Sequence, residues 1–311
     1  MNNISSRFSK STLAAFPKAG KTVWWLLKII LPISLAVSVL QYWGLIAQIA
    51  SLLAPVFSVV GLPGESAIVF ISSIFLSLYA PIAIIATLPL EAREITILAL
   101  MCLISHNMIV ETAVQKKTGS SAIIMFSLRI ITSFVAAFLL NKMLPDQFGS
   151  GHIAQKSIEF VSLQAMLVGW AIGAWWLILK ICLIVTGLMI LQNILKEFNV
   201  LSLLSKIIAP LMSTMGLSKE SSFLWFVAQI LGLTYGSAVM IEAVEHQEIT
   251  PENANLLNYH IAINHSLLED TLLFVAIGVP AGWIVAPRFA LAILVVWSVR
   301  ALTKLHRRCK L

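Results

Sequence analysis

Charge is what this sequence lacks. Asp, Glu, Lys and Arg make up 11% of its 311 residues, against roughly 25% in an ordinary soluble domain. That shortage excludes a water-soluble globular fold. Cysteine is also scarce: Cys102, Cys182 and Cys309 are odd in number, far apart and mostly within apolar stretches. They form neither a disulfide framework nor a cysteine zinc site. No small-residue cleavage site follows the first apolar stretch, Leu35 to Gly44, so the first helix reads as retained rather than as a cleaved signal. A nucleophile elbow, a zinc-protease pattern and a paired-aspartate span are all missing as well, and the sequence therefore reads as a non-enzyme that needs no cofactor.

What is present is apolar sequence, 59% of the chain. Charge-free runs extend over Ile29 to Gly64, Ser66 to Leu90, Phe160 to Leu179, Ser221 to Ile241 and Asn253 to Leu268, among others. Several of these exceed or approach the roughly 20 residues a helix needs to cross hydrocarbon. The net charge of +7 gathers at the two ends, as Arg7, Lys10, Lys18 and Lys21 and then Arg300, Lys304, Arg307, Arg308 and Lys310. Positive-inside flanking explains that distribution better than nucleic-acid binding does, and it sets both termini on the cytoplasmic side. Ala15 to Thr22 loosely resembles a phosphate-binding loop, but an apolar helix begins at once where such a loop needs a preceding strand and a soluble sheet.

The polar residues that do interrupt the apolar sequence recur. Ser105-His106-Asn107-Met-Ile-Val-Glu111-Thr112 has a counterpart 159 residues on, Asn264-His265-Ser266-Leu-Leu-Glu269-Asp270-Thr271, which repeats the histidine, the acid five residues later and the threonine. Between Ala54–Ser66 and Ala209–Ser221, seven of thirteen positions are identical at an offset of 155. The pairs Trp24-Trp25 and Trp175-Trp176, Tyr79 and Tyr235, Gly119 and Gly278, and Arg129 and Arg288 extend the agreement. The growth in offset fits a longer loop at Glu242 to Thr250 than at Glu91 to Glu94, where Thr250-Pro251 also supplies a helix start.

The expected organisation is a basic leader (1–21), a first repeat (22–145), a linker (146–163), a second repeat (164–305) and a basic tail (306–311). The fold class is an all-α polytopic membrane protein of about 8–10 transmembrane or re-entrant helices. A linker with no net charge suits the outer face, which favours inverted repeats.

Ionisable groups at membrane depth are costly, at least ~2.5–3.5 kcal/mol each on insertion scales, and they mark polar pathways. The candidate solute-binding residues are therefore His106, Asn107, Glu111 and Thr112 with Asn264, His265, Glu269, Asp270 and Thr271. In an ideal helix, residues five apart point about 140° away from each other. Each histidine can share a cavity with its fifth-residue acid only if the helix breaks between them, a common device in repeat-built transporters. Further breaks are expected at Leu78 to Pro81 and Thr234 to Ser237. Glu65-Ser66 and Glu220-Ser221 follow glycine-containing turns at helix entrances; they read either as substrate-facing groups or as first-turn residues that favour the helix dipole. Arg129 and Arg288 read as snorkelling to the interface.

Two stretches, Gly61-Leu62-Pro63-Gly64-Glu65-Ser66 and Ser105 to Gly119, resemble bacterial membrane proteins of the nucleoside-recognition or Gate-domain family. The resemblance covers most of the chain. Such proteins are related to the Gate segments of ferrous-iron permeases and concentrative nucleoside transporters, and more closely to spore-maturation-type proteins. The resemblance implies a repeat-built core with a central polar site in the bacterial inner membrane, and it leaves the substrate open. No soluble GTPase domain accompanies it, so nucleotide-driven gating does not carry over.

The first reading is thus a permease for a small polar solute, with a coupling ion or proton as an option. A divalent-metal permease such as one for ferrous iron, and a non-transporting scaffold, are the alternatives. The expected partners are the lipid bilayer and the solute, with no nucleic acid, and a homo-oligomer is compatible with the sequence.

Overall fold

In the computed structural model, which describes residues 4–145, 148 and 162–308, the apolar runs fold as helices, and no strand occurs among the described residues. The expected linker lies almost wholly outside the described residues, as does the end of the basic tail. The chain opens with α1 (Ile4–Tyr42) and α2 (Leu45–Ser58), followed by α3 (Ser66–Phe75), α4 (Tyr79–Ile85), α5 (Ala92–Ser105), α6 (Met108–Lys117) and α7 (Ala122–Met143). After the linker come α8 (Leu163–Glu197), α9 (Val200–Met212), α10 (Ser222–Glu245), α11 (Pro251–Ile263), α12 (Glu269–Val275) and α13 (Ala281–Arg308). Five stretches among the described residues are long and apolar enough to cross a membrane: α1, α5 with α6, α7, α8 and α13. The apolar helices α3 and α9 are shorter.

The 39-residue α1 and the 35-residue α8 would measure about 58 and 52 Å at 1.5 Å per residue, well beyond the ~30 Å of hydrocarbon. They run antiparallel against each other. Arg7 Nε donates to Glu197 Oε1 at 2.8 Å, Asn193 Nδ2 to the Ser11 carbonyl at 3.2 Å, and Trp170 Nε1 to Ser34 Oγ at 2.8 Å, so the contacts climb one helix as they descend the other. Residues 4–21, set apart by their charge as a leader, continue α1 without interruption, through Pro17. Arg7 and Ser11 in this stretch both bond to α8.

At the centre sits α5. A capping box of Glu91 and Glu94 starts it, and from Ile95 to Ser105 every residue is buried. A helix apolar on all sides belongs in the interior of a membrane bundle. On the outside of the bundle, α7, α8 and α13 turn large apolar side chains outward, among them Ile123, Leu183 and Leu294, as a lipid-facing surface requires. The tryptophan pairs Trp24-Trp25 and Trp175-Trp176 are exposed on α1 and α8, the arrangement of an interfacial belt. At α11, Thr250 Oγ1 accepts from the Asn253 amide and Pro251 opens the helix, as the sequence indicates.

Four helix interruptions converge inside this shell. Between α3 and α4 the chain turns extended at Leu76. Between α5 and α6, His106 is extended and Asn107 left-handed, with φ 49°. Gly232 (φ 70°, ψ 175°) breaks α10 internally, and between α11 and α12 Ser266 is left-handed, with φ 50°. The interruptions in α3–α4 and α10 fall slightly upstream of Leu78–Pro81 and Thr234–Ser237, where sequence placed them.

Broken helices expose backbone groups, and here each break satisfies another. The Asn107 amide donates to the Ser73 carbonyl at 2.8 Å and also lies 3.1 Å from that of Leu76. In the second half the Ser266 amide donates to the Ala228 carbonyl at 2.9 Å, and the Leu268 amide lies 3.4 Å from that of Gln229. Leaving such groups unpaired at membrane depth costs several kcal/mol each, so the pairing makes the crossings stable.

Candidate functional site

His106 and His265 enter the centre from the two breaks. Each sits just after the end of a buried helix and accepts its orientation from that helix: His106 Nδ1 lies 3.2 Å from the Cys102 carbonyl and His265 Nδ1 2.7 Å from the Ile261 carbonyl. A carbonyl only accepts, so both Nδ1 atoms carry the proton and both Nε2 atoms point away with a lone pair in the neutral ring. The two Nε2 atoms face each other at 3.3 Å, with the rings 4.9 Å apart between centroids.

Carboxylates close around this pair. Glu111 Oε1 lies 3.4 Å from His106 Nε2 and 3.2 Å from His265 Nε2, and Asp270 Oδ2 lies 3.3 Å from His106 Nε2. The helix breaks therefore do what the 140° argument required, bringing each histidine and its fifth-residue acid to one point. His106, His265 and Asp270 offer donor atoms that all lie within 4.8 Å of one another, a group able to hold a metal ion.

Two arginines support the cluster from behind. Arg129, on α7, is fully buried and pairs Nη1 with Glu111 Oε2 at 2.6 Å. Its remaining donors bind backbone at the break, Nε to the Ile104 carbonyl at 2.6 Å and Nη2 to that of His106 at 2.7 Å. Arg288, on α13, is equally buried; it donates from Nη2 to Thr271 Oγ1 at 3.0 Å and from Nη1 to the His265 carbonyl at 3.4 Å. Neither arginine snorkels. The physical reason is that each finds, inside the bundle, a break whose freed carbonyl needs a donor, and Arg129 finds a carboxylate too. Local sequence suggested an interfacial residue near the start of a span, but Arg129 and Arg288 share the histidines' offset of 159, and that shared offset was the available signal for them.

A cavity of about 720 Å³ opens onto this cluster. His106, Asn107, Glu111, His265, Glu269 and Asp270 contribute to its walls, as do Lys21, Trp25 and Tyr79. Tyr79, from α4, reaches across to Glu269 Oε1 on α12 at 3.2 Å, a contact between the two halves that sequence did not indicate. Gly232 and Ser266 also line the cavity, so three of the four interruptions border it directly together with Leu76 of the fourth.

A family model described as Gate, nucleoside recognition, matches residues 23–139. The uncharacterized membrane protein YvoD of Bacillus subtilis (strain 168) is 32% identical over 293 residues, which cover 93% of this chain and 94% of the relative. The chain belongs to the Gate family of membrane proteins. No solved structure matches it.

Within this Gate-family protein the family match spans His106, Glu111 and Arg129, whereas His265, Asp270 and Arg288 lie beyond it. The remaining sequence candidates fall into two groups. Thr112, Asn264 and Thr271 are buried beside the cluster and are not among the cavity-lining residues; Thr271 accepts from Arg288, and the Asn264 carbonyl accepts from Gln229 Nε2 at 2.7 Å. Glu65, Ser66, Glu220 and Ser221 do not line the cavity either. Glu65 caps α3 without a side-chain bond, Ser66 is fully buried, Glu220 is exposed, and Ser221 bonds to Ser218 at 2.8 Å.

Proposed function

We propose that this protein is a transporter or permease for a small polar solute, bound in the central cavity. The observation that carries the reading is the meeting of buried ionisable groups from both halves at helix breaks beside a cavity of about 720 Å³, inside the roughly 300–1,000 Å³ range of small-molecule sites. Intramembrane ionisable residues are costly and typically line a pathway. Membership of a family described by nucleoside recognition supports the same class.

The lining favours an uncharged or cationic solute with hydroxyl or amide groups. Glu111, Glu269 and Asp270 face the space, while Lys21 at its rim is the cation among its lining residues. Asn107 and the two imidazoles offer hydrogen bonds, and Trp25, Phe75 and Tyr79 offer ring faces, a combination suited to a nucleoside-like molecule. Behind these groups, Thr271 accepts from Arg288 and so helps to hold that arginine against the cluster. The antiparallel run of α1 and α8 supports two inverted halves around this site, with both basic termini on the cytoplasmic face of the inner membrane.

The test is reconstitution into vesicles and measurement of uptake of labelled nucleosides, with and without a pH gradient. Uptake that disappears in the E269Q and H265Q proteins, while both retain their fold, is the expected result. Silence for every nucleoside and related polar solute in the intact protein would overturn it.

A further inference from the structure

We infer that His106, His265 and Asp270, with Glu111 beside them, form a binding site for a divalent first-row transition-metal ion that joins the two halves of the chain. The inference goes beyond solute transport and stands independently of it.

The argument begins with the tautomers. Because both Nδ1 atoms donate to carbonyls of the preceding helix turn, the Nε2 atoms present lone pairs. The partners around those lone pairs are each other and carboxylate oxygens, at 3.2–3.4 Å. Four acceptor atoms thus approach one another with no donor hydrogen among them. A proton on one imidazole satisfies one contact; a dication at the centre satisfies all of them.

Asp270 carries the point further. Its residue is only 7% exposed, its Oδ2 has no hydrogen-bond partner among the described residues, and Arg288 on the neighbouring helix directs its Nη2 to Thr271 instead. Glu111 differs in being held by Arg129 through its other oxygen, which leaves Oε1 to face the imidazoles.

The spacing also suits a metal. Two ligands at neighbouring positions of a tetrahedral ion, with bonds of about 2.0–2.1 Å, stand about 3.3 Å apart, as do the two Nε2 atoms and the His106–Asp270 pair. Imidazole nitrogen with carboxylate selects zinc, cobalt, ferrous iron or their neighbours over calcium and magnesium, which prefer all-oxygen shells. The Nδ1–H···O=C bonds supply the orienting outer layer such histidines usually have. All four residues line the cavity, so coordination positions stay open towards it.

The test uses the full chain in detergent, stripped with a chelator and titrated with cobalt(II), whose visible d–d bands report low-coordinate nitrogen and oxygen ligation. About one cobalt per chain, displaced by zinc and not by magnesium or calcium, is expected. The H265Q and D270N proteins should bind at least ~10-fold more weakly, whereas H260Q, which removes a buried histidine outside the cluster, should bind as the parent does. Because a substitution at the centre can unfold the chain, X-ray absorption of the zinc-loaded parent provides a second readout and should show two imidazole ligands.

A parent that binds no more cobalt than the H106Q/H265Q double variant overturns the inference and leaves a shared proton as the bridge. Uptake assays on the same preparations keep the two claims apart. Metal binding without uptake supports this site and counts against transport, and uptake without metal binding does the reverse.

Discussion

The Nε2 atoms of His106 and His265 meet at 3.3 Å although 159 residues separate them in the chain. Neither ring is free to choose that orientation. Each is aimed by the carbonyl four residues before it, and each follows a helix that stops where the ring begins. The contact is therefore a property of two helix ends, and changes to those ends should be felt at the site.

Replacing Arg129 by Met should destabilise the protein by about 3–5 kcal/mol, since it strands a buried Glu111 carboxylate. Adding Glu111→Gln to that variant should recover much of the loss. Unfolding of the two single variants and the double variant in detergent measures this, and equal, additive losses would show that the pair is not coupled.

Asn107 has φ 49°, and a β-branched residue there should cost about 1–2 kcal/mol more than asparagine. Asn107→Gly should keep both stability and the break, whereas Asn107→Val should lower the melting temperature and reduce uptake. Ser266, with φ 50°, should follow the same order.

Tyr79→Phe removes the hydroxyl that donates to Glu269. Hydrogen bonds to charged groups contribute about 1.5–3 kcal/mol, so a modest loss of stability is expected. Because the bond spans the two halves, a several-fold change in uptake rate should accompany it, larger than that of Tyr259→Phe outside the cavity. Initial-rate measurements in vesicles compare the two.

At Gly64 an added Cβ would run into the Ala50 backbone, whereas at Gly20 it would meet nothing within 4 Å. Gly64→Ala should therefore cost about 1–3 kcal/mol through overpacking. Gly20→Ala, in the exposed part of α1, should be neutral or stabilising by up to ~1 kcal/mol. Thermal unfolding of the two variants separates them.

The helical membrane class and the need for a break at each histidine motif were legible because both follow from local chemistry: the scarcity of charge, and the 100° step of a helix. Thr250 and Pro251 were legible for the same reason. The burial of Arg129 was not, since its carboxylate lies on another helix across a break, and a span-end arginine with an unseen partner looks interfacial. The Tyr79–Glu269 bond joins residues 190 apart and left no local trace. In α10 the interruption sits at Gly232 rather than beside Tyr235, because glycine alone accepts φ 70° with ψ 175° cheaply. The bonds of Arg7 and Ser11 to α8 join residues more than 180 apart and likewise left no local trace.

The reciprocal backbone bonds at the breaks have a mechanical consequence. Asn107 is tied to Ser73 and Ser266 to Ala228, so within each half the two interrupted helices are bonded to each other at their breaks. Those bonds would have to break before either helix could bend there. Around the cavity the two halves meet in a seam of two imidazoles, a tyrosine hydroxyl and the carboxylates that face them, while α1 against α8 and Asn258 against Thr118 and Ser120 join them elsewhere. A movement large enough to pass a solute has to unfasten that seam, and whatever sits between the imidazoles sets how readily it does.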